Sequence, residues 1–263
     1  MTKVFAFTNN KGGTGKSTLC SNSAHLVARN GARVLVIDMT SQTTCSSLFL
    51  GKVDALDESD TILAFLKKRP DKHIEEVIFE SPKGLDAVSA HVSMAEAVTQ
   101  LSSMQMGKEG VLNREIERIK DQYDYIFIDS PGDLNELTAN ALVPADKIFI
   151  PTRLNRTDFQ CTETTIRFIK EAEHFIGPRQ VKVLINMLDD RYLPGGIWSS
   201  SHTGELYSQA QKTFADVLSP VTIPDSTDIR TAFDRGLTIV EYKPGEAAAK
   251  RIQELVNREV LSV

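Results

Sequence analysis

The stretch Asn-Asn-Lys-Gly-Gly-Thr-Gly-Lys-Ser-Thr at residues 9–18 limits what this chain can fold into more than any other segment. It follows an apolar run, Val4 to Phe7, and precedes a helical pattern over Ser17–Arg29. A strand, a glycine-rich turn and a helix N-terminus in that order bring backbone N–H groups and a helix dipole to one point, which suits phosphate oxygens. Gly12, Gly13 and Gly15 leave open the space that Cβ atoms would take. Thr14 and Thr18 complete the loop. Lys16 supplies a point charge for terminal phosphates, and the Ser17 hydroxyl can ligate Mg2+. The usual pattern starts with glycine where this chain has Asn10, and an extra lysine, Lys11, stands at the mouth of the loop.

Strand and helix patterns alternate along the rest of the chain. Strands are expected at Lys3–Thr8, Arg33–Asp38, Val77–Glu80, Leu85–Val88, Tyr125–Asp129, Lys147–Pro151, Val181–Asn186 and Val221–Ile223. Helices are expected at Ser17–Arg29, Thr61–Lys68, Lys108–Asp121, Leu134–Leu142, Asp158–Phe175, Glu205–Val217, Thr227–Arg235 and Glu246–Val260, with a further helix and connector over Ser89–Gly107. Continuous apolar runs such as Val34–Ile37 and Ile126–Ile128 suit strands buried on both faces. The reading is one α/β domain over residues 1–263, a doubly wound, mostly parallel sheet flanked by helices. Ligands of such sheets sit at the carboxyl ends of the strands. Asp38, Asp129, Asn186 and the Pro224–Asp225 pair all follow strands. Asp129, directly after a buried strand, is placed to hold Mg2+ opposite Ser17, either directly or through water.

Bulk properties remove several classes. No apolar run is long enough to span a membrane, and the chain opens on a strand, so neither a leader nor an N-terminal helix-turn-helix extension is expected. Three scattered cysteines, Cys20, Cys45 and Cys161, fit neither a disulfide framework nor a metal-ligand spacing, and buried reduced thiols are expected. A net charge of −5 does not mark a nucleic-acid binder, so any contact with DNA must be local. The stretch Asp189–Gly204, with Pro-Gly-Gly and Ser-Ser-Ser-His, reads as a surface loop near the ligand end.

The run Lys-Gly-Gly-Thr-Gly-Lys-Ser resembles the deviant Walker A motif of the ParA/MinD ATPases, a P-loop NTPase family. The likeness covers essentially the whole chain and is most specific at Asn9–Thr18, Val34–Gln42 and Tyr123–Leu142. It implies ATP and Mg2+ as cofactors. Lys11 would reach across an ATP-sandwiched homodimer to the partner's nucleotide, and Lys16 would face the phosphates. Asp38 would orient the attacking water, and Asn186, Pro224 and Asp225 would frame adenine. The family's usual Asp-x-Asp-Pro-Gln is Asp38-Met39-Thr40-Ser41-Gln42 here, which bears on the geometry of that loop. A ParA-like reading further implies a cytoplasmic, nucleoid-associated protein that binds DNA without sequence preference. It would position or segregate a cargo through a ParB-like or McdB-like adaptor that stimulates slow hydrolysis. Candidate DNA contacts are Arg230, Arg235, Lys243, Lys250 and Arg251. The alternative is a MinD-like membrane-cycling regulator of division-site placement. That reading wants a basic amphipathic C-terminal helix. In Glu246–Val263 the residues Lys250, Arg251 and Arg258 are balanced by Glu246, Glu254 and Glu259, so a docked helix and no stable membrane association are expected.

Overall fold

The computed structural model describes residues 1–192, 196 and 201–262, the side chains of Phe175 and Asp190 excepted. Seven strands run β1 (Lys3–Phe7), β2 (Val34–Asp38), β3 (Ile78–Ser81), β4 (Leu85–Val88), β5 (Tyr125–Asp129), β6 (Lys147–Thr152) and β7 (Gln180–Ile185). Among the described residues, ten α-helices lie between and after them. They are α1 (Lys16–Arg29), α2 (Thr44–Leu50), α3 (Met94–Ser102), α4 (Val111–Ile119), α5 (Glu136–Leu142) and α6 (Arg156–Ile176), then α7 (His202–Thr213), α8 (Thr227–Asp234), α9 (Ile239–Tyr242) and α10 (Ala247–Leu255).

The strands form one sheet in the order β3-β4-β2-β5-β1-β6-β7. Every pairing is parallel except the β3–β4 hairpin. Alternation explains how the sheet is covered on both sides. Val4, Ala6, Ile126, Ile128, Ile148 and Ile150 face one layer, which holds α3 to α7. Phe5, Phe7, Phe127 and Phe149 face the other, which holds α1, α2 and α10. The four phenylalanines stack across neighbouring strands, with Phe7 and Phe149 ring centres 5.0 Å apart and Phe5 and Phe127 5.4 Å apart. This central stack fixes the height at which β1 ends, and therefore where the loop of residues 8–15 begins.

Three expectations fail in detail. Thr61–Lys68 is not an α-helix: it holds one 3₁₀ turn, Ile62–Ala64, and a second 3₁₀ turn, Glu58–Asp60, precedes it. Ile62 to Leu66 are all buried, so no solvent face exists for an amphipathic helix, and Pro70 shortly after discourages α geometry. Val221–Ile223 forms no strand. Ile223 only bridges Asn186, because Pro220 and Pro224 on either side have no N–H to donate to a ladder. The C-terminal helix leaves α geometry at Leu255 and continues as a π-helical turn over Val256–Val260. Two helices, α2 and α9, were not expected. Pro194 and Gly195 of Pro-Gly-Gly, and Ser199 and Ser200 of Ser-Ser-Ser-His, lie outside the described residues of the expected loop. No helix among the described residues is long and apolar enough to cross a membrane.

Candidate nucleotide site

β1 delivers the chain to the loop, and two asparagines pin it there. Asn9, fully buried, donates through Nδ2 to the Pro151 carbonyl (2.7 Å) and to Thr162 Oγ1 (3.2 Å). The backbone N–H of Asn10 donates to Thr165 Oγ1 (3.0 Å). Asn9 thus ties the loop to β6 and α6, and the backbone of Asn10 adds a bond to α6 that the glycine of the usual motif could also make. Gly13 and Gly15 have φ of 72° and 95°, values that side chains rarely adopt. Gly15 is also the N-cap of α1, and a Cβ there would lie 2.2 Å from Asn186 Nδ2. Asn186, at the end of β7, is buried and donates to the Thr14 carbonyl at 2.8 Å. Thr14 is fully buried beneath the loop, whereas Gly12 and Gly13 are exposed.

Lys16 is buried inside the loop, where its Nζ donates to the Lys11 carbonyl (3.0 Å). Burial pulls its pKa down, and Asp129 and Asp133 oppose that shift. Lys11 is half-buried at the mouth. Asp129 closes β5 directly opposite Asp38 at the end of β2. Both aspartates are fully buried. Burial, then the neighbouring Asp38, pushes the Asp129 carboxyl up to about 7, against the Ser17 hydroxyl and Lys16, which stabilise its charge. Asp129 Oδ1 has no hydrogen-bond partner, although it is buried. Two buried carboxylates with one buried lysine leave the site short of positive charge. The orphaned oxygen beside the Ser17 hydroxyl fits a hard divalent cation such as Mg2+.

Asp38 is held more firmly than the water-orienting role expected of it would suggest. Its Oδ1 accepts from the N–H and hydroxyl of Thr40 (2.9 and 2.8 Å), and its Oδ2 accepts from the N–H and hydroxyl of Ser46 (both 2.9 Å). Burial still pushes its carboxyl above the usual range, the four donors notwithstanding. Thr40, standing where the family has a second aspartate, is therefore part of the clamp. The Ser46 hydroxyl also accepts from the Ala90 N–H (3.1 Å), which links the clamp to the end of β4.

Cys45 is the site residue that sequence reasoning missed. Its thiol donates to Asp129 Oδ2 at 3.4 Å and lies 3.5 Å from the Ser17 carbonyl, and it is hydrogen-bonded to the thiol of Cys20. The cysteines are thus not all scattered, because two of the three meet beneath the loop. Cys161 is half-buried and stands apart. Cys45 and Asp129 are far apart in the chain, and no local pattern could have joined them.

A cleft of about 310 Å3 beside the loop is lined by Thr18, Arg153, Asn186, Pro224, Asp225 and Arg230, among others. It brings together the three residues expected at a base, and it adds Arg153 and Arg230. Arg153 is ion-paired to the buried Asp158 (2.6 Å). Arg230 is exposed on the rim of this cleft. The other DNA candidates are spread along the C-terminal third of the chain. Lys243 is paired with Asp228 (2.7 Å), Arg251 with Glu254 (3.1 Å), Arg235 sits over the Tyr242 ring, and Lys250 is exposed.

Residues 2–179 match the model of a protein family described as AAA domain. The chain is similar to the sporulation initiation inhibitor protein Soj of Bacillus subtilis, 29% identical over 252 residues that cover 95% of each chain. In three dimensions it is similar to McdA of Cyanothece, with 18% identity, a TM-score of 0.83 and coverage of 97% of this chain and 99% of that one. It is also similar to cobyrinic acid a,c-diamide synthase of Mycobacterium smegmatis, solved with ADP and magnesium, with 20% identity, a TM-score of 0.77 and coverage of 98% and 93%.

Proposed function

The chain belongs to the AAA-domain family, as a ParA/MinD-like P-loop ATPase, and from that premise we propose that it hydrolyses ATP to position or segregate a cargo on DNA. The observation that carries this reading is the loop itself, in which Lys16 is buried beside Asp129 and its orphaned oxygen. The loop of residues 11–18 cradles the phosphates, and the cleft at Asn186, Pro224 and Asp225 takes the adenine. Ser17 and Asp129 would hold Mg2+, whose charge offsets that of the terminal phosphates. Lys16 leaves the Lys11 carbonyl for a phosphate oxygen. Asp38 orients the attacking water, and to do so it gives up part of its clamp to Thr40 or Ser46, so hydrolysis is tied to a rearrangement of residues 40–46. Lys11 acts across a homodimer closed over two nucleotides, where it stabilises charge developing on the partner's nucleotide.

The closed dimer binds DNA of any sequence through exposed basic side chains such as Arg230 and Arg235, and an adaptor of the ParB or McdB kind, bound to the cargo, stimulates turnover. This places the protein in the cytoplasm, on the nucleoid. The packing of α10 speaks against a membrane-bound C-terminal helix, since Ala249, Ile252 and Leu255 are buried in the core that contains α1. The test is retention of the purified protein on unrelated DNA duplexes and on anionic vesicles, each with and without ATP. ATP-dependent, salt-sensitive retention on every duplex is expected, and it should weaken for Arg230→Glu and Arg235→Glu. ATP-dependent sedimentation with vesicles and no retention on DNA would favour the MinD-like alternative.

A further inference from the structure

The cation pocket at the end of β5 contains a sulfur atom for which a Mg2+ site has no use. The Cys45 Sγ and carboxylate oxygens of Asp38 and Asp129 all lie within 4.8 Å of one another, and all three residues are fully buried. Asp38 is not free to coordinate, because each of its oxygens already accepts two hydrogen bonds. Asp129 is free, since Oδ1 has no hydrogen-bond partner and Oδ2 accepts from the Cys45 thiol at 3.4 Å. The pocket therefore offers the Cys45 thiol and one carboxylate, with the Ser17 hydroxyl beside them and the Cys20 thiol hydrogen-bonded to Cys45. Oxygen-only sets suit Mg2+, whereas a thiolate selects softer ions such as Zn2+ and Cd2+.

We propose that Cys45 Sγ and Asp129 form a binding site for a thiophilic divalent cation, overlapping the Mg2+ position, so that zinc-class ions compete with Mg2+ for this protein. As the sulfur–metal bond forms, the thiol proton leaves to solvent and the metal keeps its charge and oxidation state. Occupancy would also tie α2, which carries Cys45, to the end of β5, and thereby hold the Asp38 clamp in the arrangement seen here. Such an ion would inhibit hydrolysis even where nucleotide still binds. The inference rests on the proposed function only for the word inhibit, since the site itself needs no nucleotide.

The first experiment uses the full chain and Cd2+ alone, without nucleotide. Titration should raise the ultraviolet charge-transfer absorption of a cadmium–thiolate bond, saturating at one equivalent. Cys45→Ser and Asp129→Asn should each weaken Cd2+ binding at least about tenfold, while Cys161→Ser should leave it unchanged. Circular dichroism melts identify any variant that fails to fold, and Cys45→Ala then serves as the second replacement. The band should persist in Lys16→Ala, which separates this site from nucleotide binding. The second experiment adds Zn2+ to the Mg2+–ATP reaction. Inhibition should be relieved by excess Mg2+, and the Zn2+ concentration for half inhibition should rise at least about tenfold in Cys45→Ser relative to its own zinc-free rate. Absence of the band in the wild-type chain, or its survival in Cys45→Ser, would overturn the site even if ATP hydrolysis is normal. A band in a protein with no ATPase activity would leave the site standing and remove the proposed function instead.

Discussion

Asp38 carries four hydrogen bonds and no compensating cation of its own, so its removal separates two jobs. Asp38→Ala is expected to bind ATP and lower turnover by about 100-fold or more, the scale on which a positioned acid–base group acts. Single-turnover assays beside nucleotide calorimetry check it, and normal turnover would remove Asp38 from the chemistry. His25 on α1 gives a pH prediction. It is buried, its Nδ1 lies 2.8 Å from Thr238 Oγ1 and 3.7 Å from Glu241, and Lys83 and Arg29 also act on it. Burial lowers its pKa, with Lys83 and Arg29 adding to the shift and Glu241 opposing it. A depressed histidine binds fewer protons folded than unfolded. Its stabilising contribution is therefore complete above the unfolded value of about 6.5 and is lost as pH falls below it. His25→Asn should lower stability at neutral pH yet flatten its loss as pH falls below about 6.5, as read by thermal melts on both sides of that value.

At the scale of elements, the junction of β1, loop and α1 is where side-chain volume matters most. Gly15 combines a φ of 95° with a Cβ position that Asn186 already occupies. Gly15→Ala should therefore cost more stability than the same change at Gly31, where φ is 88° but nothing lies within 4 Å, and it should also reduce ATP affinity at least about tenfold. Paired melts and calorimetry test both halves of that statement. The same junction shows what could be read from residues alone. Strand, glycines, lysine and the two strand-end aspartates are local signals, and each falls where it was expected. Asn186, expected at a base, is found bracing Thr14, because a single short side chain can face both. α2 left no trace in the sequence: Thr44 and Cys45-Ser46-Ser47 are poor helix formers, and burial of Leu48 and Phe49 decides the matter in three dimensions. Thr61–Lys68 misled for the opposite reason, since its apolar residues are buried all round instead of along one face.

At the scale of the whole molecule, the proposed cycle requires two copies. Lys11 is half-buried at the loop's mouth, and its expected target lies in the partner. Lys11→Ala should bind ATP as a monomer and fail to give the ATP-dependent dimer that light scattering detects for the wild type. A stable ATP-dependent dimer of the variant would refute the role in trans. The order of strands has a consequence for how the protein is made. β1 is the first strand to be synthesised, yet it pairs with β5 through Lys3–Tyr125 to Phe7–Asp129 and with β6 through Phe5–Lys147 to Phe7–Phe149. Until residues near 130 have left the ribosome β1 has neither neighbour, and until residues near 150 have followed it lacks the second, so the loop after it has no fixed base. The nascent chain thus passes much of its translation with its most conspicuous motif already made and unable to hold a nucleotide, and such long-range closure sets a slow clock on the birth of each active molecule.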